Sequence, residues 1–149
     1  VAIELATFRT LAQHPRIVAV KDCGGDDQLT MQLIADARLN VLAGEDHKIL
    51  SSLCLGASGA ISAAAHIRPD LFVRIAQLVR TGELDQARQI FYRLLPLIQR
   101  LFVEPNPAPV KAALAASGLI LDELRPPMLP ASAQLGLQLG ELLAQLDLG

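Results

Sequence analysis

Apolar and polar positions along the chain change period several times, and the changes divide it into elements. Ile3, Leu5, Phe8, Leu11 and Ala12 recur at helical spacing, and His14-Pro15 ends that helix because the residue before a proline is pushed out of the α region. Ile17 to Val20, "IVAV", is then a continuous β-rich run with no polar alternation, the pattern of a strand buried on both faces as in parallel sheets. It delivers Lys21 at its C-terminal end. "CGGDD" follows as a turn, in which Asp26 or Asp27 can cap a helix from about Gln28 to Ala37 with Leu29, Leu33 and Ile34 on one side. The pattern repeats: "NVLAG" (40–44) predicts a second buried strand, "DHKILSSLCLG" (46–56) its helix, and "GAIS" (59–62) a third strand. Pro69 suits a helix start, and Leu71, Ile75, Leu78 and Val79 carry that helix to Gly82.

From Glu83 onward the strand signal disappears. "ELDQARQIFYRLLPLIQRLFVE" predicts one long amphipathic helix with Ala87, Ile90, Phe91, Leu94, Ile98 and Leu101 on its stripe and a kink at Pro96. The proline turns "EPNPAP" and "RPPMLPAS" bracket a short helix near Val110–Ser117, and Leu135, Leu139, Leu142, Leu143 and Leu146 mark the last one. Repeated strand-helix units force parallel strands, which leaves a doubly wound sheet or a (β/α)8 barrel. "CGGDD" is not the G-x-G-x-x-G fingerprint and there is no P-loop, so the barrel leads. Three units cannot close one. The predicted fold class is therefore α/β, the C-terminal part of a (β/α)8 barrel over residues 1–82, followed by an all-helical extension over 83–149.

Composition narrows the function classes. With 149 residues and 52% apolar content, the chain can bury a core, and a net charge of −2 with no basic block argues against nucleic acid as a partner. Cys23 and Cys54 are the only cysteines, too few for a disulfide framework and too far apart for a paired-thiol motif. No apolar run suggests a membrane span and no leader pattern opens the chain, so the expected compartment is cytoplasmic and no membrane partner is expected. The chain starts on Val1 inside a helical pattern, which reads as a fragment.

Lysines are scarce, at 21, 48 and 111 only. In a barrel, a side chain at the C-terminal end of a strand belongs to the active-site face. A lysine there is partly desolvated, which favours its neutral amine and makes it a nucleophile towards carbonyls; the competing reading is a lysine that reaches past the strand into solvent. Gly44 ends the second strand and can be a turn glycine. Ile61, on the third, packs more readily than it functions, although its backbone can face a pocket. His47 and His66 have no partner carboxylate at metal spacing, so no metal site is assigned, and Tyr92 in the long helix reads as a packing residue.

"RIVAVKD", "VLAGED", "LGASGAIS", "LFVEPNPAPVK" and "LRPPMLP" occur in the order and approximate spacing of the C-terminal half of dihydrodipicolinate synthases, in the class I pyruvate-dependent aldolase and lyase family, which the chain resembles along essentially its whole length. The resemblance implies a barrel entered at the last helix of unit five and completed through unit eight, then a helical extension. It further implies condensation of pyruvate with aspartate semialdehyde to 4-hydroxy-tetrahydrodipicolinate, in lysine biosynthesis, by a homo-oligomer that needs no cofactor. On the matching motifs Lys21 is the Schiff-base lysine, Gly44 the glycine of the "GED" loop, and Ile61 the pyruvate-contacting residue of the "G-x-I-S" segment. The family's Gly-Thr-Thr carboxylate-binding segment, relay tyrosine and second-substrate arginine have no counterpart here, so the chain alone is expected to be inactive. Two alternatives stand beside this reading: another pyruvate-dependent aldolase of sialic-acid or sugar-acid type, and a non-enzymatic half-barrel interaction module.

Overall fold

The structure, a computed structural model, describes residues 2–147, and the chain divides into two compact units, Val1–Ser62 and Ala63–Gly149. In the first unit, helix α1 (Leu5–Leu11) precedes strand β1 (Ala19–Asp22), helix α2 (Asp27–Asp36), strand β2 (Asn40–Ala43), helix α3 (Ile49–Cys54) and strand β3 (Gly59–Ala60). The strands form one parallel sheet in the order β1-β2-β3, with Lys21 opposite Leu42, Asp22 opposite Ala43, and Ala43 opposite Ala60.

Each boundary has a local cause. The carboxylate of Asp26, not Asp27, accepts from the backbone N–H groups of Gln28 and Leu29 at 3.0 and 3.1 Å and starts α2. β1 begins two residues later than the apolar run, because Ile17 donates to the His14 carbonyl at 3.0 Å and is used in the turn after α1. Lys21 therefore lies within the ladder and not beyond it. Nor is β1 buried on both faces: Ala19, Val20 and Asp22 are half-buried and Lys21 is exposed. The third strand is shorter than "GAIS", although the Ile61 N–H still donates to the Ala43 carbonyl at 2.9 Å and carries the pairing one residue further. The helix after β2 opens as a 3-10 turn, Asp46–Lys48, before it becomes α3. Leu33 and Leu39, Val41 and Ala43 of β2, and Ile49 and Leu50 of α3 make the buried core.

The second unit contains α4 (Pro69–Thr81), α5 (Leu84–Arg100), α6 (Ala108–Ala116) and α7 (Ala133–Asp147), with no strand among its described residues. Gly82, at φ +83°, ends α4 while the Glu83 N–H bonds the Leu78 carbonyl at 2.8 Å. Helix α5 packs against α4 and α7, and α7 against α6. Ile75, Leu78, Leu94, Leu97, Ile98, Leu101 and Leu139 are fully buried there, each contributing about 1.5–3 kcal/mol through removal of apolar surface from water. Helix α5 runs through the exposed Pro96 and stops at Arg100, short of the expected Glu104. Phe102 and Val103 bond the carbonyls three residues back, a tightened last turn, and Pro105 then disfavours helix at Glu104. The Glu104 carboxylate instead accepts from the Ser132 N–H at 2.9 Å and its hydroxyl at 2.5 Å, bonds that hold its pKa below the ordinary carboxylate range, and Ser132 caps α7 by accepting from the Leu135 N–H at 3.3 Å. No helix among the described residues is long and apolar enough to cross a membrane.

Candidate active site

Side chains alternate along a strand, so the register decides which residues share a face. Lys21, Leu42 and Gly59 stand at one level of the sheet, and Gly44 and Ile61, two residues on, return to that same face. The Gly44 N–H donates to the Asp22 carbonyl at 2.8 Å, as Ile61 does to Ala43, so both positions are fixed by the end of the ladder. Lys21, Gly44 and Ile61 thus gather at the C-terminal edge of one sheet face, with the Ile61 side chain 48% exposed and not packed as expected.

Space explains the glycine at position 44. A Cβ built there would stand 2.2 Å from Cys23 Sγ, 2.8 Å from the Asp22 carbonyl oxygen and 2.9 Å from Lys21 Cε. Gly44 does not have a positive φ, so its role is to leave room for the lysine stem and the thiol, which both lie against its Cα. Lys21 is exposed in this chain and not desolvated as expected.

The opposite face carries a polar scaffold that the periodicity did not announce. Asp22 accepts from the Gly24 N–H at 3.0 Å through one carboxylate oxygen and from the hydroxyl of the buried Thr30 through the other. Lys48, from the turn after β2, reaches across to Asp27 at 2.7 Å and to the Gly25 carbonyl at 3.3 Å. The Asp27 hydrogen bond is the main cause of a Lys48 pKa above the ordinary lysine value. Asp22, Thr30, Glu45, Lys48 and Ser52 are among the residues lining a small cavity that also touches Ala43 and Gly44. Asp46, 2% exposed, accepts from the Ser62 hydroxyl at 2.7 Å and ties the loop after β2 to the segment after β3. The hint in the sequence was an acidic residue at the end of β1, Asp22, and a pair just after β2, Glu45-Asp46.

The remaining candidates do not join this cluster. His47 is exposed and sits 3.4 Å from Glu45, His66 meets the Ala63 carbonyl at 3.1 Å, and the described residues hold no group of three or more potential metal ligands. Tyr92, expected to pack, is 61% exposed, with its ring tilted against Phe91 at 6.2 Å between centroids. It falls on the outer side of α5 because the buried stripe passes through Phe91 and Leu94.

The profile of the Dihydrodipicolinate synthetase family matches residues 1–146. This chain belongs to that family. A 4-hydroxy-tetrahydrodipicolinate synthase of Thermodesulfovibrio yellowstonii is 39% identical over 139 residues, which are 92% of this chain and 48% of that protein. A crystal structure of a dihydrodipicolinate synthase superposes with a TM-score of 0.92 at 37% identity, over all of this chain and 52% of the other. The chloride-inhibited dihydrodipicolinate synthase of Acinetobacter baumannii, solved in complex with pyruvate, gives 0.88 at 32% identity over 95% of this chain and 50% of its own. The chain thus spans about half the length of the curated relatives it matches. With relatives of that fold, the three parallel strands and their helices are part of a (β/α)8 barrel, and the helices that follow are its C-terminal extension.

Proposed function

We propose that this chain is the lysine-bearing half of a 4-hydroxy-tetrahydrodipicolinate synthase, with residues 1–82 forming the last helix of unit five through unit eight of the barrel and 83–149 the extension. The carrying observation is the packing of the Lys21 stem over a Gly44 that has no room for a side chain, on the face and at the strand ends where barrel enzymes hold their chemistry. The neutral Lys21 amine attacks the keto carbon of pyruvate, forming the C–N bond. The carbonyl oxygen leaves as water with the two amine protons, and the resulting imine, once protonated, draws electrons from the pyruvate methyl group. Loss of a methyl proton gives an enamine whose carbon adds to the aldehyde of aspartate semialdehyde. The new alkoxide takes a proton, and the semialdehyde's amino group then displaces Lys21 at the imine carbon, breaking the C–N bond as the ring closes. Ile61 offers its backbone to the pyruvate end of the pocket, and Gly44 lines the wall beside Lys21.

These steps need a positioned proton carrier, worth about 10²- to 10⁴-fold in rate, and a carboxylate clamp for pyruvate. Neither motif occurs among these 149 residues. The chain by itself is therefore inactive, and activity belongs to the complete barrel. The test is product formation from pyruvate and aspartate semialdehyde by the complete protein, by its Lys21→Ala variant and by residues 1–149 alone. Turnover by the complete protein only is expected; comparable turnover by the Lys21→Ala variant would overturn the assignment.

A further inference from the structure

Asp22 follows Lys21 directly and faces the other side of β1, and its hydrogen bonds join three pieces of backbone. Its carbonyl receives the Gly44 N–H at 2.8 Å and so sets the level of β2's end against β1. Its carboxylate holds the Gly24 N–H at 3.0 Å and the Thr30 hydroxyl, which fixes the start of the loop and docks it on α2. Thr30 is 9% exposed, and its oxygen also stands 3.1 Å from the Asp26 carbonyl, one helical turn back. A hydroxyl has one proton, and the carboxylate is the stronger acceptor, so the proton goes to Asp22. Lys48 then ties the far side of the same loop through Asp27 and the Gly25 carbonyl. Gly44 is the member of this set that also borders Lys21, on the lysine's face of the sheet.

The arrangement has one mechanical effect on that face. Lys21 Cε lies against the Gly44 Cα, so its amine can be aimed only if the backbone of residues 21–24 keeps its level relative to residue 44. Without the Thr30 hydroxyl, one oxygen of the partly buried Asp22 loses its proton donor and the loop loses its tie to α2. The Asp22 carboxylate then turns towards water, and the Lys21-Cys23 segment is free to tilt away from Gly44.

We propose that Asp22 and Thr30 are positioning residues for Lys21: the Thr30 hydroxyl, through the Asp22 carboxylate, sets the direction from which the amine meets its carbonyl substrate. This inference rests on the Schiff-base reading of Lys21. A positioning role predicts an effect on the covalent step with pyruvate recognition unchanged, because the substrate is held by other groups until the C–N bond forms.

The experiment is the rate of borohydride-trapped imine formation at Lys21 in the complete protein as pyruvate is raised to saturation, normalised to folded protein by circular dichroism. Thr30→Val and the smaller Thr30→Ala should each lower the saturating rate about tenfold, the cost expected for losing a hydrogen bond to a charged group, and leave the half-saturating pyruvate concentration within about twofold. Thr30→Ser, which keeps the hydroxyl, should restore the rate. If either folded hydroxyl-free variant traps pyruvate at the unsubstituted rate, or if Thr30→Ser is as slow as they are, the positioning role is overturned while the Schiff-base reading stands. If the unsubstituted protein does not trap pyruvate at Lys21, that reading fails and this inference fails with it.

Discussion

Replacing Gly44 by alanine puts a single methyl group where three atoms already stand. Two of them can move: Cys23 Sγ, 2.2 Å from the new carbon, can rotate about its side-chain torsion, and Lys21 Cε, at 2.9 Å, can swing away. The third, the Asp22 carbonyl oxygen at 2.8 Å, is backbone and already accepts the Gly44 N–H at 2.8 Å, so it retreats only if that ladder bond is strained. Overpacking of this kind costs about 1–3 kcal/mol, and weakening the bond adds to it, which places the loss near 2 kcal/mol and the drop in Tm at about 2–4 °C in a complete protein about twice the length of this chain. Circular-dichroism melts of the complete protein, its Gly44→Ala variant and the double variant Cys23→Ala/Gly44→Ala measure it. Removing Sγ relieves the closest contact but leaves the carbonyl, so the double variant should recover part of the loss and show a coupling of at least about 0.5 kcal/mol. A Gly44→Ala protein that melts within about 1 °C of the unsubstituted one, against the shift expected for such a cost, and keeps Lys21 against residue 44 would refute the spatial argument.

A helix cap in the first unit and two carboxylates in the second are testable through stability. Asp26→Ala removes the acceptor shared by the first N–H groups of α2 and should cost about 1 kcal/mol in urea unfolding, with Asp26→Ser largely restoring it; equal stability of the three proteins would show that the cap is not used. In the second unit, Arg68 grips Asp70 through two bonds of 3.0 and 2.7 Å, and that pairing holds Asp70 below its ordinary pKa as Ser132 does Glu104. A depressed carboxylate pKa contributes stability above the unfolded value, near pH 4, and loses it as the pH falls through the folded value. Stability should therefore fall below about pH 4 and fall less in an Asp70→Asn/Glu104→Gln variant, a difference kept modest by solvent exposure of both groups; identical acid profiles would contradict the assigned cause.

How much of this was legible along the chain depends on whether the deciding interaction is local. The helices of the second unit were legible because their stripe is a property of one element: Leu94, Ile98 and Leu101 are buried as their spacing requires. The end of α5 was less so, since the chain tightens over Phe102 and Val103 and Glu104 is claimed by Ser132, 28 positions away. The apolar run puts the first strand two residues early because such a run looks the same whether it pairs or turns, and the Ile17 bond to His14 decides which. Lys21, Gly44 and Ile61 stand out through strand ends and a motif resemblance, but the reason for Gly44 is a contact among three segments that no pattern displays. The Asp22–Thr30 and Asp46–Ser62 bonds are hidden for the same reason: each polar partner is ordinary by itself and gains its role from the packing of α2 and the loops around the sheet.

The central claim is that Lys21 is the residue that joins covalently to pyruvate, and site-resolved mass spectrometry after borohydride reduction tests it most directly. The complete protein, incubated with pyruvate and reduced, should carry a stable adduct on the peptide containing Lys21 and none on those containing Lys48 or Lys111. Lys48 is held by Asp27 and Gly25, and Lys111 by the Glu123 carbonyl. An adduct on either of these two lysines, or trapping that persists in Lys21→Ala, would contradict the account.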